Sequence, residues 1–115
     1  MGCLTTHVLD TARGVAAAGL RIQLYRCGET TSIRDVITNE DGRADKAVLD
    51  DESFVKGCYE LHFHAGDYLR SLGQELPDPA FLDIIVIRFG IADTNEHYHV
   101  PLLLSPFGYS TYRGS

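Results

Sequence analysis

The chain has little that would tie it to nucleic acid, a membrane or a metal. Ten Lys and Arg stand against 16 Asp and Glu, a net charge of −6. That balance excludes a general nucleic-acid binder, which needs a basic patch or excess. No apolar run approaches the roughly 20 residues that a bilayer-spanning helix needs. The N-terminus has neither the basic start nor the long apolar stretch of a signal peptide, so the cytoplasm is the expected location. There is no low-complexity segment, linker or internal repeat, no Gly-rich phosphate loop and no nucleophile elbow. Cysteines number only three: Cys3, Cys27 and Cys58. Their odd count and lack of CxxC spacing argue against a disulfide framework or zinc knuckle. They are expected to be free thiols packed as small hydrophobes.

What remains is an ordinary globular composition, 44% hydrophobic and 23% charged over 115 residues. This fits one domain spanning 1–115, with a single core. The pattern is of short strands separated by turn signals. Leu4 to Asp10 alternates, Leu20 to Tyr25 alternates, and Ser32 to Thr38 follows the Cys27-Gly28-Glu29 turn. Asn39-Glu40-Asp41-Gly42 is a strong turn, leading through Arg43 into a short strand to about Leu49. Tyr59 to His64 is a strand with Tyr59, Leu61 and Phe63 inward. Gly66 to Gly73 holds the one plausible helix, about two turns long and capped by Gly73. Leu82 to Phe89 is nearly all apolar and is expected to be central, covered on both faces. His97 to Leu104 and Phe107 to Arg113 form a closing hairpin. About eight strands, mostly with antiparallel neighbours, and one short helix make an all-β two-sheet sandwich.

Chain ends are usually polar and disposable. This one carries two histidines, three tyrosines, an arginine and an apolar block between His97 and Ser115. Alternation divides it. Tyr98, Val100, Leu102 and Leu104 form a bulky core face, which leaves His97, His99, Pro101 and Leu103 on the other. Pairing core with core places His99 on one sheet surface with Ser110 and Tyr112. In the first strand Leu4 and Val8 read as core, so His7 points outward too. An outer face that mixes His7, His99, Leu9, Pro101 and Leu103 suggests a subunit interface or a pocket.

Other readings of these residues are blander. His62 and His64 read as structural residues, and His97, beside a turn, as solvent-exposed. Pattern alone leaves Arg43 open between a surface arginine and a site residue. A zinc site of His7, His97 and His99 is conceivable, but no carboxylate or cysteine has fitting spacing, so no metal is expected. The start Met1 to Thr6 fits a loose N-myristoylation pattern, set aside because Leu4 to Leu9 reads as a packed strand.

Leu4-Thr5-Thr6-His7-Val8-Leu9-Asp10, Asn39-Glu40-Asp41-Gly42-Arg43 and His97 to Ser115, ending Tyr112-Arg113-Gly114-Ser115, resemble the 5-hydroxyisourate hydrolase (transthyretin-related) family. The three motifs occur in the family's order across nearly the whole chain. One departure is Ala16-Ala17, where relatives often carry a proline before the alanine; it touches only a loop. The resemblance implies a transthyretin-like sandwich that assembles as a homotetramer, a dimer of dimers with active sites in a channel. It implies hydrolysis of 5-hydroxyisourate to 2-oxo-4-hydroxy-4-carboxy-5-ureidoimidazoline, without metal or organic cofactor. His7, Arg43, His99 and Ser115 would carry the chemistry, and Tyr112, with His7 and Arg43, would bind substrate. Since Ser115 comes last, extension beyond it is expected to harm activity more than folding. Relatives occur in cytoplasm, periplasm and peroxisomes. The rival reading is a transthyretin-type carrier of thyroid hormone, whose channel would be open and aliphatic where this one is polar. A plain interaction module would leave the terminal motif unexplained.

Overall fold

A computed structural model describes residues 2–114. Two sheets pack face to face. The first is built from β1 (Cys3–Asp10), β2 (Val15–Ala16), β5 (Leu49–Asp50), β8 (Tyr98–Ser105) and β9 (Gly108–Thr111). The second contains β3 (Arg21–Arg26), β4 (Arg34–Ile37), β6 (Gly57–His64) and β7 (Ile84–Ile91). Strand order is β2-β1-β8-β9 with β5 also on β1, and β4-β3-β6-β7. The alternation in the sequence is the cause. Leu4, Val8, Val100, Leu102 and Leu104 of the first sheet meet Ile22, Leu24, Leu61 and Phe63 of the second in one core. A short helix, α1 (Ala65–Ser71), follows β6 and buries Tyr68 and Leu69.

Several expectations are corrected. Nine strands form among the described residues, close to the expected eight, the added one being the two-residue β2. The strand expected from Arg43 to Leu49 is confined to Leu49–Asp50, and Arg43 makes a single isolated bridge to His7. The central pair β1–β8 is parallel, with Thr5 opposite His99 and His7 opposite Pro101. The apolar run at Leu82 to Phe89 is not covered on both faces. It becomes β7, at the edge of its sheet, with Ile84 and Val86 exposed and Ile85 and Ile87 buried. Cys27 and Cys58 are joined in a disulfide, and only Cys3 is free. Spacing along the chain could not reveal this. The β3–β6 register pairs Arg26 with Tyr59, which brings the next residue on one strand beside the preceding residue on the other.

One buried carboxylate ties the layers together. Asp10, 1% exposed, ends β1 and accepts the Tyr68 hydroxyl at 2.8 Å and the Arg13 amide at 3.1 Å. Burial, and then the Asp10 contact, raise the Tyr68 phenol above its ordinary pKa. The last residue of the Leu4–Asp10 motif is therefore structural, anchoring the strand to the helix.

Candidate active site

β1 buries every second residue from Leu4 to Asp10, so Thr5, His7 and Leu9 lie on the outer face of the sheet. β8 runs parallel beside it with His99 on the same face. The Asn39–Arg43 turn brings Arg43 to this pair. The Asn39 side-chain carbonyl accepts the Asp41 and Arg43 amides at 2.9 and 3.2 Å. Val8 N donates to Gly42 O at 2.8 Å. Gly42 has φ +75°, and a Cβ there would run into the Val8 carbonyl. Only glycine lets the turn lie this close to β1, and the next residue is then Arg43, bridged to His7.

A cleft of about 440 Å³ opens here, lined by Thr5, Arg43, Asp45, Lys46, His97 and His99 among others. Its size and its few convergent polar groups suit a small ligand. Burial lowers the His99 pKa below its ordinary 6.5, and the positive charge of Arg43, followed by the neighbouring His7 and His97 rings, lowers it further. The shift favours the neutral imidazole, the form that can accept a proton. Arg43 supplies a permanent charge and a planar fork of donors for a developing oxyanion.

The terminal motif braces this histidine. Gly114 N donates to His99 O at 2.8 Å, and a Cβ on Gly114 would lie 2.6 Å from the ring's Cδ2. Arg113 reaches the Glu96 carboxylate at 3.3 Å and the His97 carbonyl at 3.2 Å, with its guanidinium 4.1 Å from the centre of the Tyr98 ring. Arg113 is thus an anchor of the segment. Ser115 lies outside the described residues.

Of the residues expected at the site, His7, Arg43 and His99 come together. Tyr112 does not join them. β9 ends at Thr111, the alternation stops there, and Tyr112 lines a different cleft with Ile87, Phe89, Tyr98 and Val100. His62 and His64 sit outside the site, bonded to Glu60 and Gln23 at 2.9 and 2.8 Å. Two residues were missed. His97, exposed as expected, also lines the cleft, and Thr5 touches both His97 and His99. The parity that marked His7 as outward also marked Thr5; only its plain chemistry hid it.

A family model described as "HIUase/Transthyretin family" matches residues 4–114. The chain belongs to the HIUase/Transthyretin family. It is 63% identical to 5-hydroxyisourate hydrolase 2 of Rhizobium meliloti over 99% of this chain and 97% of the relative. The structure of Klebsiella pneumoniae 5-hydroxyisourate hydrolase superposes with TM-score 0.82 at 33% identity, covering 100% of this chain and 94% of that one. The crystal structure of (S)-allantoin synthase superposes with TM-score 0.93 at 44% identity over 99% of this chain; the chain spans 44% of that protein's length. The transthyretin-like sandwich expected from the motifs is the fold that HIUase/Transthyretin family membership entails.

Proposed function

We propose that this protein hydrolyses 5-hydroxyisourate to 2-oxo-4-hydroxy-4-carboxy-5-ureidoimidazoline. The observation that carries the reading is the convergence of His99, His97 and Arg43 on a small polar cleft, with His7 bridged to Arg43 beside it. The identity to the Rhizobium meliloti hydrolase supports it. Opening a ring amide needs an activated water, a stabilised oxyanion and a protonated leaving nitrogen. His99 takes the water proton, Arg43 receives the carbonyl oxygen as charge builds on it, and His7 orients substrate and water. Ser115, which follows Gly114 in the chain, is proposed to position water through its hydroxyl. No metal or organic cofactor enters this mechanism. The carrier reading is disfavoured because the cleft concentrates Arg43, His97 and His99 where a carrier would present aliphatic groups.

The proposal extends to a homotetramer. β7 and β9 are edge strands, with Ile84, Val86 and Tyr109 exposed along them and Tyr112 exposed just past the end of β9. Unpaired strand edges of this kind are templates for a second copy. Two such dimers would face each other through the β1–β8 sheets, and Tyr112 would reach a substrate only from a neighbouring copy. The proposed location is the cytoplasm, where a reducing poise keeps thiols free. Cys27 and Cys58 would then be reduced in the cell, as acid-quenched alkylation can read.

The direct test follows freshly generated 5-hydroxyisourate by ultraviolet absorbance. Its decay is expected to be faster with protein than without and insensitive to a chelator. Light scattering of the same sample is expected to give about four times the 12.7 kDa chain mass. A decay no faster than the spontaneous one overturns the reading.

A further inference from the structure

A single hydroxyl stands between two imidazoles beside the cleft. Thr5 Oγ1 lies 2.8 Å from His99 Nδ1 and 2.9 Å from His97 Nε2. The other nitrogen of His97, Nδ1, lies 3.1 Å from Cys3 Sγ. The arrangement follows from the fold: Thr5 and His99 are direct partners across the parallel β1–β8 pair. We propose that Thr5 and His97 are positioning residues for the hydrolysis: the Thr5 hydroxyl keeps a proton on His99 Nδ1, frees Nε2 as the base, and passes the proton taken from water on to His97. This rests on the hydrolase reading given above.

A hydroxyl has one proton to donate and lone pairs to accept with. Bonded to two imidazoles, it donates to one and accepts from the other, so the two rings take linked tautomers. When it donates to His97 Nε2 it accepts from His99 Nδ1–H. His99 Nε2, which has no protein hydrogen-bond partner among the described residues, then holds the free lone pair.

The proton balance closes within this chain of groups. Water gives a proton to His99 Nε2 and its oxygen attacks the ring carbonyl. The Nδ1 proton of His99 moves to Thr5 Oγ1, and the hydroxyl proton of Thr5 moves to His97 Nε2. His99 ends neutral and His97 ends as imidazolium. The leaving nitrogen recovers the proton along the same path.

The charged and titratable surroundings favour this direction. His99 is faced by Arg43, Asp45 and Lys46 from the segment after the turn, by His7 from β1, and by His97 along its own strand. Its burial and its positive neighbours resist a second proton there. His97 lies at the exposed end, with Cys3 beside it, and Glu96 and Arg113 paired next to it. A transferred charge is solvated at that end.

Two readouts test this, one independent of turnover. Nitrogen–proton correlation spectra of the imidazoles are expected to show His99 protonated at Nδ1 in the wild type and redistributed toward Nε2 in Thr5→Val. In the absorbance assay, Thr5→Val and His97→Gln are expected to lower kcat by roughly 10–100-fold, as loss of a partner that orients a histidine does elsewhere. KM is expected to hold within about twofold, the mark of a loss confined to the transition state. Thr5→Ser, which keeps the hydroxyl, should recover most of the rate. A Nδ1–H signal that survives in Thr5→Val, or a Thr5→Val rate equal to wild type, overturns the relay alone. An inactive wild type overturns the hydrolase reading, and with it the catalytic use of the relay.

Discussion

His99 is held neutral chiefly by its burial and then by Arg43, and this has a readable sign. Its folded pKa lies below that of the unfolded chain, so between the two values only the unfolded form binds the proton. Stability therefore falls as pH drops through that window. Arg43→Gln removes one cause of the depression. The His99 titration midpoint, followed by its ring proton resonances, is expected to rise toward about 6.5. In the same variant kcat/KM should drop by roughly 10²–10³-fold, the cost of losing an oxyanion donor. An unchanged midpoint contradicts the assignment of Arg43 as a close neighbour of the ring. At this scale alternation marked His7, His99, Thr5 and His97 alike as outward, because a strand's two faces are written in its residue order, and the resemblance then singled out His7 and His99. Alternation could not show that Thr5 touches both His97 and His99, because that contact depends on which residues stand opposite each other across a parallel pair. No motif states that register. Tyr112 was misplaced for the opposite reason: alternation was carried past the point where β9 ends.

Among the elements, the Asn39–Arg43 turn matters most to the site, since it delivers Arg43 to His7 by lying against β1. The turn was legible from its Asn, Asp and Gly; its docking was not, because the strand expected after it is absent. Gly42→Ala tests the docking. A side chain at φ +75° against the Val8 carbonyl costs about 1–3 kcal/mol in backbone strain alone. The melting temperature is expected to fall by several degrees, and the hydrolysis rate to fall further than the lost folded fraction explains. A Gly42→Ala variant with wild-type rate and melting temperature would show that this close approach is dispensable. The edge position of β7 was equally hidden. A stretch of eight residues in which six are apolar reads alike whether both faces meet protein or one waits for another copy.

For the molecule as a whole, the sandwich was legible because inward and outward residues alternate through nearly every strand. The Cys27–Cys58 bond was not, since it is a consequence of strand register rather than spacing. Two of the sheet edges, β7 and β9, and the outer β1–β8 face are the surfaces through which the proposed tetramer would form. They leave the chemistry on one face, where Gly114 backs His99 and Arg43 meets His7. The most direct test of that chemistry compares wild type with His99→Gln in the 5-hydroxyisourate decay assay, with the scattering mass of each checked first. The expected result is a rate enhancement reduced by roughly 10²–10⁴-fold, the contribution of a positioned general base, with the oligomer unchanged. A His99→Gln protein of the same mass that keeps the wild-type rate would contradict the central claim.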